Sequence, residues 1–310
     1  MDRLTVTGYR RCPPHVVAEH KGFFSKEGLA VDFHVVTLAP QHNREMAEGR
    51  WPITLSSADT MIARSTLDKV DYVLFMQPEQ GLSVSLIGRP GIASIEALRG
   101  QLIAGDPGDS NFDLIRNKIL REHGLMPEDY RIEIVGSSPK RLQAFLDGKV
   151  AAAMLSPPSS DKALAAGGVL LADAASYFPD WPLVCGWGLR SWVEANRPLV
   201  VRFVRAWAAA ADWLLRPENR EETIALLIKE EGVSRARAEQ AYGDVVPHVA
   251  IDPQAIRKNM ELRIELGAYP PPHDAAERFY DMSFWSEATG LPAPKPAGQP
   301  RNARNHSGSP

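Results

Sequence analysis

Short apolar segments alternate with helix-forming segments over the first quarter of the chain, and this alternation limits the fold more than any other feature. Residues 4–8, 30–36, 51–55 and 72–76 are predicted strands, because each is short, apolar or alternating, and bounded by turn-forming residues. Helical segments lie between them. This rhythm predicts a parallel sheet with helices on its faces, and ligands bind such sheets at the loops after the carboxyl ends of the strands.

A second alternation of strands and helices follows the first. Its predicted strands are residues 101–106, 131–135, 151–155 and 169–171. From residue 191 almost to residue 289 the chain is then predicted to be helical. The pattern indicates an α/β protein of two lobes, each a mainly parallel sheet flanked by helices.

The lobes are expected to be discontinuous in the chain, because the late helices need a sheet to pack against. We predict that residues 1–88 and 189–291 form lobe I and that residues 89–188 form lobe II. Residues 292–310 are rich in Pro, Gly, Asn, Arg and Ser and lack periodicity, so a disordered tail is predicted there.

Composition excludes several classes of protein. A formal net charge of −3 over 310 residues gives no reason to expect binding to nucleic acid. The two cysteines, Cys12 and Cys185, are too few for a disulfide framework and form no CxxC metal pair. We therefore expect no metal and no cofactor.

No stretch of about 18 apolar residues is present, so no membrane span is expected. The chain begins MDRLTVT, with no charged head followed by an apolar run, so no secretory signal is expected. As written, the protein is expected to be cytoplasmic. It would be periplasmic if a leader had been removed.

The strand at residues 101–106 runs through a Gly/Pro turn into a predicted helix over residues 112–123. Asp109, Ser110 or Asn111 lies at the start of this helix. A helix start offers unpaired backbone N–H groups and a positive dipole end, which suit a carboxylate, a sulfonate or a phosphate. The alternative is an ordinary N-cap, in which Asp109 or Ser110 satisfies those groups itself.

Several stretches, in order along the chain, resemble the periplasmic solute-binding proteins of the nitrate/sulfonate/bicarbonate and thiamine-pyrimidine class. They are residues 17–31, 49–59, 94–100, 142–154 and 279–284. The resemblance implies a two-lobe Venus-flytrap of the type II periplasmic-binding-protein fold that closes on a small anion or heterocycle. It also implies an ABC permease as partner, and we expect a monomer or dimer.

Carried over position by position, the resemblance implies ligand contacts from loops of both lobes. The candidates are Tyr9, Cys12, His42, Ser57 and Gln77 in the first lobe, Ser110, Asn111 and Ser156 in the second, and Trp187 near the hinge. Plainer alternatives exist. Ser57 suits a helix N-cap, Trp187 suits core packing between the lobes, and Tyr9 and His42 suit the surface.

The chain is also similar to the sulfinate desulfinase of dibenzothiophene breakdown, which keeps open a cofactor-free lyase acting on a C–S or C–C bond. That resemblance implies Cys12 as nucleophile, with His42 and Arg50 assisting. Arg10 and Arg11 flank Cys12 and are expected to lower its thiol pKa. The desulfinase's Arg-Gly-Gly motif is missing, and Cys12 is alternatively a loop residue without chemistry. Two functions therefore stand, a solute receptor and a cytoplasmic lyase.

Overall fold

The computed structural model describes residues 1–106 and 110–293. The strands, in chain order, are β1 (Asp2–Gly8), β2 (Leu29–Val35), β3 (Ile53–Ser56), β4 (Tyr72–Glu79), β5 (Ser85–Gly88), β6 (Leu102–Gly105), β7 (Arg131–Ile134), β8 (Ala152–Leu155), β9 (Val169–Asp173) and β10 (Val184–Leu189). The α-helices are α1 (Pro13–His20), α2 (Phe23–Lys26), α3 (Ala39–Ala47), α4 (Ala58–Leu67), α5 (Asn111–Glu122), α6 (Ser138–Leu146), α7 (Ser159–Ala165), α8 (Ala174–Tyr177), α9 (Arg190–Ala195), α10 (Arg197–Leu214), α11 (Arg220–Glu231), α12 (Arg235–Gly243), α13 (Pro253–Glu265) and α14 (Ser283–Thr289). The predicted α/β class with two sheets is confirmed.

Within the described residues, the first sheet has the spatial order β2-β1-β3-β10-β4. The strand β1 runs parallel to both β2 and β3, as the alternation of strands and helices predicts. The late strand β10 lies antiparallel between β3 and β4. A strand from far along the chain thus completes the middle of this sheet.

Two glycines allow β10 to fit between its neighbours. A Cβ at Gly188 would overlap the carbonyl oxygen of Pro52, and a Cβ at Gly186 would lie 2.7 Å from the side chain of Met76. The same glycines weaken the strand signal in the sequence, because glycine is disfavoured in strand interiors. The alternation of strands and helices therefore did not predict this strand.

The second sheet has the order β7-β6-β8-β5-β9 in the described part of the chain. The strand β6 is parallel to β7 and β8, whereas β5 is antiparallel to β8 and β9. Each sheet is thus mostly parallel with one strand in the opposite direction. The antiparallel strand is β10 in the first sheet and β5 in the second, and each directly follows a crossing between the sheets.

The chain passes between the sheets twice, between Glu79 and Ser85 and again between Asp173 and Val184. The backbone N–H of Gly81 donates to the carbonyl of Trp181 at 2.8 Å, so the two crossings are tied together. Both crossings precede the expected lobe boundaries at 88 and 188 by one strand. The expected boundaries place β5 in lobe I and β10 in lobe II, whereas hydrogen bonding pairs β5 with the second sheet and β10 with the first. The predicted tail falls outside the described residues from residue 294 onward.

The late helices pack back onto the first sheet. In α10, Val204 and Trp207 are fully buried in one apolar cluster with residues of β1 and α1. The helix α13 packs against α4 in a separate cluster that includes Trp187 of β10. No helix in the described ranges is both long and apolar enough to span a membrane.

Candidate ligand cleft

The carboxyl ends of β1 and β6, one in each sheet, place Tyr9 and Asp106 close together. Tyr9 follows β1 directly and is 48% exposed. Partial burial raises the pKa of the Tyr9 hydroxyl, and the charge of Asp106 raises it further. Asp106 directly follows β6, and we therefore take the space between these two strand ends as the candidate ligand cleft.

Arg10, the next residue, does not present a free cation to this cleft. Its Nη1 and Nη2 donate to Oε1 and Oε2 of Glu79 at 3.2 and 2.7 Å. Glu79 is fully buried at the end of β4. Burial opposes the charge of Arg10, but Glu79 outweighs that effect and raises the pKa of the guanidinium. The two charges therefore neutralise each other, with Glu79 fully buried and the Arg10 side chain 35% exposed.

A second arginine and a second acid adjoin this pair from the late helices. Burial and the negative charge of Glu79 raise the pKa of Asp244 to about 6. Arg237 donates through Nη1 to Oγ of Ser83 at 3.0 Å, while burial and Arg10 lower its pKa. Asp161 of α7, which follows a strand of the second sheet, also acts on Arg237. This cluster consequently contains three acids, Glu79, Asp161 and Asp244, and two arginines, Arg10 and Arg237.

The start of α5 is already occupied by the protein's own groups. Oγ of Ser110 accepts from the backbone N–H of Asp113 at 3.3 Å, which makes Ser110 the N-cap. Oδ1 of Asp113 accepts from the backbone N–H of Asp106 at 3.1 Å. Asn111 is the first residue of the helix and is half-buried. The N-cap alternative is thus the one observed, and two carboxylates lie near the positive end of the helix. Asp109 lies outside the described residues.

Arg141 supports the same corner from α6. It is almost fully buried and donates through Nε to the carbonyl of Met154 at 2.9 Å. Its Nη1 lies 3.4 Å from Oδ1 of Asp106. Burial raises the pKa of Asp106, and Arg141 opposes that rise. Arg141 is therefore paired to an acid of the cleft, as Arg10 is.

Two further predicted contacts are Ser57 and Ser156. Oγ of Ser57 accepts from the backbone N–H of Thr60 at 3.2 Å and caps α4. Ser156 follows β8, and its backbone N–H donates to Oγ of Ser138 at 3.1 Å. Both lie at strand ends, as the sequence predicts. Ser57 has the N-cap role that the sequence allowed as the alternative.

Gln77 and Trp187 lie in the core of the first lobe. Gln77 is fully buried, and its Oε1 accepts from the backbone N–H of Asp252 at 3.1 Å. Trp187 packs edge-on against Tyr72 with ring centroids 4.9 Å apart. Trp187 therefore has the core role that the sequence allowed as the alternative to a hinge contact.

The sequence profile of the NMT1/THI5-like family matches residues 12–220, about two thirds of the chain. The chain belongs to this family. No curated protein matches the sequence significantly.

Solved structures show the fold of this NMT1/THI5-like protein. SsuA, the periplasmic aliphatic sulphonate binding protein of Escherichia coli, is 18% identical, with 94% of this chain and 100% of that chain covered and a TM-score of 0.69. NrtA, the periplasmic nitrate-binding protein of Synechocystis PCC 6803, is 14% identical, with 93% and 88% covered and a TM-score of 0.73. DszB in complex with biphenyl-2-sulfinic acid is 16% identical, with 93% and 99% covered and a TM-score of 0.69. At these identities the likeness establishes the periplasmic-binding-protein fold alone.

The position of Cys12 in this family member does not suit a reactive thiol. It is completely buried, and burial together with Glu79 raises its pKa well above the ordinary value. Arg10 lowers this pKa, as expected, but burial and Glu79 outweigh it, so the expected net lowering was wrong. Arg10 is paired with Glu79, and Arg11 pairs with acids of α1 and α11. The flanking positive charge is thus already balanced.

The two predicted helpers of Cys12 are occupied elsewhere. Nε2 of His42 lies 2.8 Å from Oγ1 of Thr7, and burial lowers the pKa of this histidine. The Arg50 side chain is 64% exposed and pairs with Glu48 at 2.9 Å. Since Arg50 lies on the surface and Cys12 in the core, they do not form a catalytic group.

Sequence reasoning missed the acids that distinguish this cleft. Glu79 is the last residue of β4 and Asp106 directly follows β6, so both could have been chosen on that signal. Arg237 and Asp244 come from α12 and the residue after it, where no pattern points to a cleft. No three His, Cys, Asp or Glu side chains in the described part of the chain are grouped to hold a metal ion.

Proposed function

We propose that this protein is a solute-binding protein of the ABC-transporter type, which closes its two lobes on a small ligand and delivers it to a permease. The fold, with its cleft between two sheets and its two tied crossings, supports this role. The neighbours named for binding sulphonate and nitrate have the same fold. A periplasmic location belongs to this proposal, because delivery to an importing permease takes place outside the inner membrane.

Within this role, the ligand class is a heterocycle with N–H donors, such as an aminopyrimidine, rather than a sulfonate or carboxylate. The observation that carries this choice is the pairing of Arg10 with Glu79, with Asp244 beside it. An anion needs unpaired cations or a vacant helix start. The start of α5 is capped, Arg10 is paired with Glu79, and Arg237 donates to the neutral side chains of Ser83 and Gln240. Asp106 and Asp244 are the carboxylates that can accept hydrogen bonds from amino groups.

Tyr9 supplies the surface on which such a ring would stack. It is the first residue after β1, and about half of its surface is accessible. Aromatic rings pack favourably in offset or edge-on arrangements. A flat heterocycle on Tyr9 would direct its amino groups to the surrounding acids, among them Asp106, whose charge acts on Tyr9.

A thermal-shift screen tests this proposal with cytosine as the aminopyrimidine probe and ethanesulfonate and benzoate as the anionic probes. A ligand present at 100 times its dissociation constant stabilises the folded state by about 2.7 kcal/mol. We expect stabilisation by cytosine and none by the anions. Asp244→Asn should weaken cytosine binding by about tenfold, whereas Asp32→Asn on the exposed edge strand β2 should not change it.

Two outcomes would contradict the proposal at different levels. Stabilisation by ethanesulfonate alone would overturn the ligand class and keep the receptor role. A protein that no aminopyrimidine, sulfonate or carboxylate stabilises, and whose lobes do not close, would contradict the receptor role itself.

A further inference from the structure

The helix α13 contacts both lobes, each through a different side of the helix. Ile256, Met260 and Arg263 occupy the i, i+4 and i+7 positions of one side. Ile256 and Met260 belong to the apolar cluster that includes Trp187 of β10. Arg263 forms a buried ion pair with Asp59 of α4. This side therefore holds α13 firmly to the first lobe.

A second side of α13 contacts the second lobe. Leu262, Glu265 and Leu266 occupy its i, i+3 and i+4 positions. Leu262 is 5% exposed and belongs to the apolar cluster that includes Ile103 of β6 and Ile119 of α5. Leu266 packs against the same cluster. The helix is thus a third connection between the lobes, in addition to the two chain crossings.

Polar contacts join α13 to α5 on this second side. Nζ of Lys118 donates to Oε1 and Oε2 of Glu265 at 2.9 and 3.0 Å, and Nη1 of Arg121 donates to the carbonyl of Glu265 at 3.4 Å. The side chains of Lys118 and Glu265 are 24% and 42% exposed. An ion pair that solvent reaches in this way contributes little to stability. The polar contact with the second lobe is therefore weaker than the buried pair that holds α13 to the first.

The contact between α13 and α5 is also incompletely packed. A cavity of about 350 Å³ lies between these two helices and the second crossing, and its lining includes Lys118, Leu262 and Glu265. Protein interiors are close-packed and have few voids larger than a water molecule. A rigid helix cannot stay fixed to two lobes that rotate against each other. The side with the exposed ion pair and the cavity is the one that can change.

We propose that α13 acts as a strap between the lobes. It moves with the first lobe, and its contact with α5 holds the lobes in the arrangement described above. Rotation of the lobes then requires Lys118 and Glu265 to separate and Leu262 to leave its place in the second cluster. A contact that is made in one arrangement and lost in another shifts the equilibrium between them. The strap acts on the lobes without any ligand, so this inference goes beyond the proposed function.

Double electron–electron resonance on the ligand-free full chain tests the strap by measuring the distance between two spin labels, one on each lobe. Lys26 of α2 and Lys162 of α7 are exposed and can be replaced by cysteine for labelling, whereas both native cysteines are completely buried. Leu262→Ala should raise the ratio of the minor to the major distance population by at least about tenfold. Met260→Ala also shortens a nearly buried side chain of α13, but on the side of the first lobe, and should change the ratio by less than about twofold.

A second pair of variants removes one charge without shortening a side chain. Glu265→Gln breaks the ion pair with Lys118, which keeps Glu122 of α5 at 3.5 Å. This variant should fold normally and raise the same ratio by about twofold to fivefold. Glu277→Gln breaks the exposed pair with Arg257 of α13 within the first lobe and should leave the ratio unchanged.

Two results would overturn the proposal. One is a distance distribution for Leu262→Ala or Glu265→Gln that equals that of the doubly labelled parent, with circular dichroism showing a folded variant. The other is an equal increase of the minor population in Met260→Ala, which would show that any loss of packing in α13 loosens the lobes. Neither result depends on which ligand the cleft takes.

Discussion

Arg263 of α13 and Asp59 of α4 form a buried, two-pronged ion pair, in which Nε and Nη2 of Arg263 each lie 2.7 Å from an oxygen of Asp59. Both side chains are almost completely buried. Asp59 is in the first turn of α4, where the helix dipole favours a negative charge. The pair fixes α13 to the helix that starts at the end of β3.

Removing one member of this pair should strongly destabilise the protein. Asp59→Asn or Arg263→Met breaks a buried ion pair with two hydrogen bonds, for which we expect a loss of about 3–5 kcal/mol in the free energy of unfolding. Urea unfolding followed by circular dichroism measures it. The exposed pair Arg257–Glu277 is the control, since breaking it should cost at most about 1 kcal/mol. Similar losses for both pairs would contradict the prediction.

Both cysteines should be unreactive in the folded protein. Cys12 and Cys185 are completely buried, and burial raises both thiol pKa values. Because the thiolate is the nucleophile, native-state labelling by iodoacetamide should be more than about tenfold slower than that of free cysteine. In urea both should react at the free rate. Rapid native labelling of Cys12 would reopen the lyase hypothesis.

Asp244 should make stability depend on pH. Its pKa rises from 3.8 to about 6 on folding, so the fold favours the protonated carboxyl. The stabilisation is complete below the unfolded value and is lost as the pH rises through about 6. The free energy of unfolding of Asp244→Asn, relative to that of the native protein, should therefore increase by about 1–2 kcal/mol as the pH rises from about 4 to about 7. Urea unfolding across this range measures the difference, and a constant difference would contradict it.

Ser57 should act as a helix cap and not as a ligand contact. Ser57→Ala removes the acceptor for the N–H of Thr60 and should cost about 1 kcal/mol of stability. Ser57→Asn retains a capping group and should cost less. Ligand affinity should change by less than about threefold in both variants. A large loss of affinity in Ser57→Asn, with stability intact, would instead place Ser57 in the binding site.

Ligand binding should close the two lobes. Each lobe has its own sheet, and two tied crossings join them, so a few residues there can absorb a rotation. Small-angle scattering should give a smaller radius of gyration when the cleft ligand is saturating. An unchanged scattering profile at saturation would indicate a rigid cleft.

Local sequence patterns predicted most strands and the helix starts, because these depend on neighbours in the chain. Ser57 and Ser110 are N-caps, and their positions follow from residues within one helical turn. The position of β10 depends instead on pairing with β3 and β4, more than a hundred residues earlier. No local pattern contains that information.

The charge state of the cleft could not be predicted for a similar reason. Arg10 beside Cys12 suggested an activated thiol, but Glu79 lies 69 residues away and takes up both arms of the guanidinium. The effect of a charged residue on its neighbours can be predicted only when its ion-pair partners are known, and the tertiary fold determines those partners. Asp244 and Arg237 reach the same place from the last third of the chain.

The insertion of β10 between β3 and β4 sets an order of events during synthesis. When the first 80 or so residues have left the ribosome, β4 has no strand beside it, because its partner begins only at Val184. The whole second lobe must emerge before the first sheet can be finished. Until then the apolar strand β4 and the open edge of β3 stay available to other chains, which is a hazard for aggregation. The nascent protein therefore has its greatest need of a chaperone during the interval in which the second lobe is made.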